Sequence, residues 1–259
     1  MRYIDTHCHL DSILAKLGIP DFPAFQARYL SPDFEACITI SCDPDSIAAA
    51  LALMEVPEVY GAFGIHPHDA KAYDDGLEAR LRVALAHPKA VAWGEIGLDY
   101  HYDFSPREVQ REAFTRQIRQ GVSLGKPLII HTREAEADTL DILEREAPED
   151  WRIHVHCFTS SPGMAERLLA HFPNLCLGLT GIVTFKNAQD LQAVARATPL
   201  DRLLLETDGP YLAPVPHRGQ PAHPGHIPLI AAKIAELKGT SVESVYAAAR
   251  ENTRKVYGI

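Results

Sequence analysis

The chain has 259 residues, 46% hydrophobic and 23% charged, with 25 Lys and Arg against 34 Asp and Glu for a formal net charge of −9. That composition excludes a disordered or low-complexity protein, and the acidic balance argues against a broad, non-specific nucleic-acid footprint without excluding a phosphate substrate. Apolar stretches are too short for a membrane span. The opening residues 1–5 enter a strand at once and leave no room for a signal peptide, so a cytoplasmic location is expected. Cys8, Cys37, Cys42, Cys157 and Cys176 form an odd set without a CxxC pair, which reads as free thiols in a reducing compartment.

In chain order, residues 3–6 make a first short apolar run and 36–41 a second. A helix over 44–55 follows, with Asp43 as its N-cap before SIAAALALM. Strand 60–65, helix 75–86, strand 90–96 and helix 106–123 come next. They are succeeded by strand 127–131, helix 134–146, strand 153–157, helix 163–170, strand 175–179, helix 188–197 and strand 202–206. Ser105 and Ser161 are candidate caps, and Pro106 and Pro162 suit a first helical turn. A Pro- and His-rich loop, 213–228, precedes helices near 229–238 and 242–257. The strands are short and apolar throughout, as strands buried on both faces are. Eight strand–helix alternations predict a parallel sheet closed into a (β/α)8 TIM barrel. An open doubly wound sheet is the alternative. One domain over residues 1–259 is expected, because the candidate site draws on residues 7 through 208. The loop after strand eight lies on the same rim and is a candidate substrate wall.

His7, His9, Glu95, His131, His156 and Asp208 each fall at or just past the C-terminal end of a predicted strand. In a closed parallel barrel those ends form one rim. His7 and His9 are two apart, so both project to the same side of strand one, while Cys8 points towards the helices. Glu95 is a carboxylate at a depth that needs a charge partner or a metal. Its two oxygens suit bridging of cations spaced ~3.5–4 Å apart. Gly94 and Gly97 beside it would permit close approach of backbone and substrate. His131 and His156 occupy equivalent positions on consecutive strands. His154 sits deeper, in the core or behind the ligands, and Glu206 is assigned behind Asp208. Asp208 is placed to bind a metal and to orient or deprotonate an attacking water. A set of four imidazoles and two carboxylates suits Zn²⁺ or Mn²⁺ better than Mg²⁺ alone. One or two divalent ions (Zn, Mg or Mn) per chain are expected. Metal-bound water, with a pKa lowered to about 7, then serves as nucleophile, and GxSxG, the phosphate P-loop and GxGxxG are absent. For a phosphate substrate the nearest donors are His66 and His68 after strand three, and Arg133, Lys186 and Arg218 near strand ends five, seven and eight.

The motifs DTHCHLD, GIHPH, GEIGLDYHYD, PLIIHTREA, HCFTSS, GIVTFKN and ETDGPYLAPVPHRG, in this order, resemble the TatD family of metal-dependent hydrolases over essentially the whole chain. The resemblance implies an amidohydrolase-like (β/α)8 barrel and deoxyribonuclease activity, with 3′→5′ exonuclease action in several members. It implies His7, His9, Glu95, His131, His156 and Asp208 as metal ligands, His66 as a substrate-phosphate contact and Asp208 as the base. One stretch departs: family members often follow Pro-His-Arg-Gly with a lysine and an asparagine, where this chain reads Arg218-Gly219-Gln220-Pro221-Ala222-His223-Pro224. A cation and an amide are lost there, which bears on substrate preference. DNA or a small phosphodiester is the expected substrate, with no membrane and no obligate protein partner. Two rival readings keep the metal site: an amidohydrolase or esterase on a small molecule, and a non-enzymatic metal-binding protein. Many barrels of the broader group bridge their metals with a modified lysine. Here strand four supplies Glu95, and Lys126 lies at the entrance of strand five.

Overall fold

The computed structural model describes residues 2–102 and 104–259. Met1 and Asp103, the latter closing the GEIGLDYHYD motif, lie outside the described residues. The elements run β1 (Tyr3–Cys8), α1 (Leu10–Leu17), α2 (Phe22–Tyr29), β2 (Phe34–Ser41), α3 (Ile47–Leu53), β3 (Val59–Phe63), α4 (Asp75–Leu85), β4 (Ala90–Asp99) and α5 (Arg107–Ser123). They continue with β5 (Leu128–Arg133), α6 (Glu136–Glu146), β6 (Ile153–Val155), α7 (Pro162–His171), β7 (Leu175–Leu179), α8 (Gln189–Ala197), β8 (Leu203–Leu205), α9 (Ile227–Lys238) and α10 (Val242–Tyr257). The strands pair in parallel in sequence order from β1 to β8. Past the end of β8 the chain meets β1: Cys8 bridges Gly209, Asp208 N donates to His7 O at 2.9 Å and His9 N to Gly209 O at 2.7 Å. Buried Asp5 reinforces this seam, accepting from Thr207 N at 3.0 Å and from Thr207 Oγ1 at 2.5 Å. The result is the eight-stranded barrel that the alternation predicts.

Alternating positions divide the core into two layers. Ile38, Ile40, Ala62, Ala92, Ile129 and Leu204 pack together in one, with Tyr257 of α10 against them. Cys8, Trp93, Phe114, Leu128, Leu143 and Leu177 pack between strands and helices in the other, so Cys8 does face away from its histidine neighbours. Removing such a residue costs its transfer free energy plus that of the cavity, about 2–5 kcal/mol for a large aliphatic side chain.

Several element ends differ from the sequence reading. Leu10, Ile13 and Leu14 bury one face of α1, and Phe22 and Phe25 bury one face of α2, so the first crossover carries two short helices where none was predicted. Asp43 does not cap α3. Its Oδ1 accepts from Asp45 N and Ser46 N, folding a turn ahead of a helix that starts at Ile47. Ser105 likewise does not cap α5. It donates to His68 O at 2.8 Å and ties two rim loops together, whereas Ser161 caps α7 as expected. β6 and β8 are only three residues long. β4 instead runs past Ile96 to Asp99, because Gly97, Leu98 and Asp99 stay in register with His131, Thr132 and Arg133 of β5.

Helix α5 fixes this extended rim with two buried glutamines. Gln117 accepts from Ile65 N at 2.8 Å and donates to Ile65 O at 3.1 Å. Gln110 accepts from Asp99 N at 2.9 Å and donates to Asp99 O and Ser105 O. Each bond satisfies a backbone group that would otherwise be buried without a partner, at a cost of about 1–3 kcal/mol.

Candidate metal centre

The six sequence-predicted ligands come together at the C-terminal mouth of the barrel. Glu95, only 2% exposed, stands at the centre. Its Oε2 faces the rim over β1, 3.4 Å from His7 Nε2 and 4.0 Å from His9 Nε2. Its Oε1 faces β5 and β6, 2.9 Å from His131 Nδ1 and 2.7 Å from His156 Nε2. Asp208 Oδ1 completes the first side, 3.6 Å from His7 Nε2 and 3.5 Å from His9 Nε2. One carboxylate thus presents separate oxygens to separate imidazole groups. His66 joins the second, with Nε2 3.5 Å from Glu95 Oε1. His7 and His156 stack face to face at 3.9 Å.

The sequence explains each placement. His7 lies one residue inside the end of β1 and His9 one residue past it, so the pleat aims both inward. Glu95, Gly97 and Asp99 share one face of the long β4. Gly97 (φ 149°) has no room for a side chain, since a Cβ there would sit 1.9 Å from His131 O. The close approach permitted by Gly94 and Gly97 is therefore that of the neighbouring strand β5, not of substrate.

Asp99 is the residue the sequence reading missed. Its Oδ2 lies 3.3 Å from His131 Nε2 and 3.0 Å from His68 Nε2. Its Oδ1 accepts from His101 N and Tyr102 N. The signal was present, because positions 95, 97 and 99 share strand parity, but it required β4 to continue beyond Ile96. Deeper in the barrel His154 Nε2 meets Glu206 Oε2 at 2.9 Å, and His154 Nδ1 meets the Tyr257 hydroxyl at 2.6 Å. Gly178 of β7 makes space for this pair, since a Cβ there would lie 2.3 Å from His154 Nε2. His154 lies deeper than the candidate ligands, whereas Glu206 brings a carboxylate oxygen within 4.8 Å of ligand atoms of both His7 and His156 and so forms a ligand set with them.

Electrostatics follow from this crowding. Burial opposes the charge of Glu95, but His156, His66 and His131 outweigh it and hold its carboxyl well below the usual range. Burial likewise opposes the Asp99 charge, and its bonds from His131 and His68 lower the carboxyl regardless. Burial works against a proton on His131 too, yet Asp99 and Glu95 raise it to about 9. Burial and neighbouring His156 push His7 down to about 4. Burial and His131 hold His66 well below its ordinary value.

The residues fit divalent cations. His7 is fully buried and neither ring nitrogen has a hydrogen-bond partner, a costly state unless an ion takes the lone pair. His7, His9 and Glu95 form one set with ligand atoms within 4.8 Å of one another, and His66, Glu95 and His131 form another.

The substrate-contact candidates are spread along the rim. Arg133, exposed, places its guanidinium 5.1 Å from the Tyr102 ring centre. Arg218, also exposed, lies 4.2 Å over Phe185. A cavity of about 410 Å³ is lined in part by Lys16, Phe185, Pro210 and Arg218. Lys186 is exposed. Lys126 Nζ donates to Ala90 O, at the opposite end of β4 from Asp99.

Such a barrel, with its cluster of nitrogen and carboxylate donors at the C-terminal mouth, defines a metal-dependent hydrolase. The family described as TatD related DNase matches residues 4–258, and the chain belongs to it. It is 43% identical, over 99% of its length, to the human 3′-5′ RNA nuclease TATDN2, of which it spans 35%. It is 38% identical to the uncharacterized metal-dependent hydrolase YcfH of Escherichia coli, covering all of this chain and 97% of that one. Among solved structures, the Escherichia coli TatD homologue YJJV superposes with a TM-score of 0.89 at 29% identity, covering 100% of this chain and 98% of that one. An amidohydrolase from Burkholderia multivorans shares the fold alone, at a TM-score of 0.62 and 14% identity. Among the described residues no helix is long and apolar enough to cross a membrane.

Proposed function

We propose that the protein is a cytoplasmic phosphodiesterase that removes nucleotides from DNA, 3′ to 5′, with one or two divalent cations (Zn²⁺, Mn²⁺ or Mg²⁺). The observation that carries the reading is the Glu95 carboxylate, whose two oxygens face different imidazoles. His7, His9 and Asp208 would hold a cation on one side of it, and His131 and His156 on the other. When bound, such ions polarise a phosphoryl oxygen and make water acidic enough to attack near neutral pH.

The chain's own residues supply the rest. Asp208 is exposed enough to meet solvent at the mouth, with its side chain 13% accessible, and accepts the proton of the attacking water. His66 Nδ1 accepts from His68 N at 3.1 Å. That bond fixes the tautomer and leaves Nε2–H to donate to a phosphate oxygen. Arg133, Lys186 and Arg218 then meet flanking phosphates, with His68 beside His66. The name of the human relative supports a nucleic acid substrate and raises RNA beside DNA. The small-molecule amidase reading is disfavoured because Lys126 is engaged at the far end of β4.

The test is release of nucleotides from end-labelled single-stranded DNA and from RNA of the same sequence, with and without Mg²⁺ or Mn²⁺. Wild type is expected to release nucleotides only with metal. Glu95→Ala is expected to fall to background while binding metal more weakly in a direct titration. Equal release by both proteins would overturn the assignment. Amide or lactone cleavage with no cleavage of nucleic acid would replace it.

A further inference from the structure

The exposed large hydrophobic residues among those described are Val83, Tyr102, Phe104, Tyr211 and Val215. All but Val83 sit in the loops that follow β4 and β8, on the same rim as the candidate centre. Exposed apolar groups scattered at random need no explanation, but clustering beside a reactive centre does. Tyr102 and Phe104 are 41% and 60% exposed. Their rings lie 5.3 Å apart and 15° from parallel. Neither ring is buried against the barrel. The pair is braced from one side by His68, whose ring meets Tyr102 edge-on at 5.5 Å and Phe104 at 4.8 Å. The Arg133 guanidinium lies 5.1 Å from the Tyr102 ring centre.

The brace connects this pair to the chemistry. His68 Nε2 is 3.0 Å from Asp99 Oδ2, and the same oxygen is 3.3 Å from His131 Nε2. One imidazole and one carboxylate therefore separate the aromatic pair from a candidate ligand. Flat π-faces, a guanidinium and a nearby phosphate site are what an unpaired nucleotide requires, since bases stack on aromatic side chains irrespective of sequence. A base inside a duplex keeps both faces covered by its neighbours and cannot occupy such a ledge.

We propose that Tyr102 and Phe104 form the stacking platform that seats an unpaired base beside the scissile phosphate. The proposal rests on the phosphodiesterase reading and adds to it the side chains that hold the base. The outer face of Phe104 takes the base, Tyr102 backs it, and Arg133 meets the adjoining phosphate. Because the platform has no hydrogen-bonding edge for a base, discrimination among the four bases is weak.

The test compares oligonucleotides of one sequence that carry either normal residues or abasic tetrahydrofuran residues at the 3′ end. Wild type, Phe104→Ala, Phe104→Trp and the double variant Tyr102→Ala/Phe104→Ala are assayed for kcat/KM and, by anisotropy, for binding. Both positions are exposed, so unchanged circular dichroism and Tm are expected. Phe104→Ala is expected to lose about ten-fold or more on the normal substrate, with the loss in KM, and Phe104→Trp to restore it. On the abasic substrate the variants and wild type are expected to be equally slow. Full activity of the double variant on the normal substrate would overturn the platform and leave the phosphodiesterase reading standing, as would an equal loss on both substrates. Absence of cleavage and binding by wild type would bring down both.

Discussion

His131 reaches Glu95 through Nδ1 because Asp99 occupies its Nε2. A buried carboxylate opposite a candidate ligand ring fixes the ring's orientation and raises its basicity, and loss of such a partner costs about 10–100-fold in metal affinity or activity. Asp99→Ala is therefore expected to lower metal affinity by that factor while the circular dichroism spectrum is retained. Metal titration followed by kcat at saturating metal separates the two effects, and unchanged affinity would contradict the role. The histidines and Glu95 were legible because each is polar at the edge of an apolar run. Asp99 was not, because the run of apolar residues that marks β4 ends before it and only pairing with β5 carries the strand on. His68 was legible as a rim residue, but its tie to Asp99 depends on two loops meeting in space.

At the scale of elements, β4 is the member that must be right. It carries Glu95 and Asp99, and it lies so close to β5 that Gly97 cannot carry a methyl group. Gly97→Ala is expected to push the two strands apart at His131. The backbone oxygen in the way cannot rotate aside, so destabilisation should exceed the about 1–3 kcal/mol typical of overpacking. Urea unfolding measures it, and a loss below 0.5 kcal/mol, roughly the size of an ordinary surface substitution, would show that the strands can yield. Interior helix ends proved harder to place than strands. The pattern that defines α1, with Leu10, Ile13, Leu14 and Leu17 on one stripe, is helical in spacing yet only two turns long, within the length at which isolated helices are marginal. Ser105 and Asp43 illustrate a different ambiguity: a short polar side chain before a helix satisfies a turn or another loop as readily as a cap.

Across the whole molecule the order of the eight strands was legible and the closure of the barrel followed from it. The contacts of the loop after β8 were not. There His217, His226 and His223 stack in sequence, at 4.7 Å and 3.9 Å, with Tyr29 of α2 against His223. Ala222, His223 and Pro224 are buried here, while Arg218 and Gln220 just before them are exposed. Burial, with His223 and His217 nearby, pushes His226 down to about 3, and burial with His217 pushes His223 down to about 4. Both values lie below that of an unfolded histidine, near 6.5. The unfolded chain thus takes up protons that the folded chain refuses. The stability these rings contribute is complete above about pH 6.5 and is lost as the pH falls through about 4 to about 3. Urea midpoints from pH 7 to 4 should fall less steeply for the His223→Leu/His226→Leu variant than for wild type; equal slopes would show that the rings titrate freely.

The seam between β1 and β8 has a further consequence in time. His7 and His9 are synthesised well before Asp208 and the backbone that clasps β1, which arrive two hundred positions later. A nascent chain can display every histidine of the centre and still lack the wall that holds the first two in place. Contacts of such long range close late. The candidate centre is therefore complete only once β8 has been made, and a fragment that stops before β8 lacks the backbone that clasps His7 and His9.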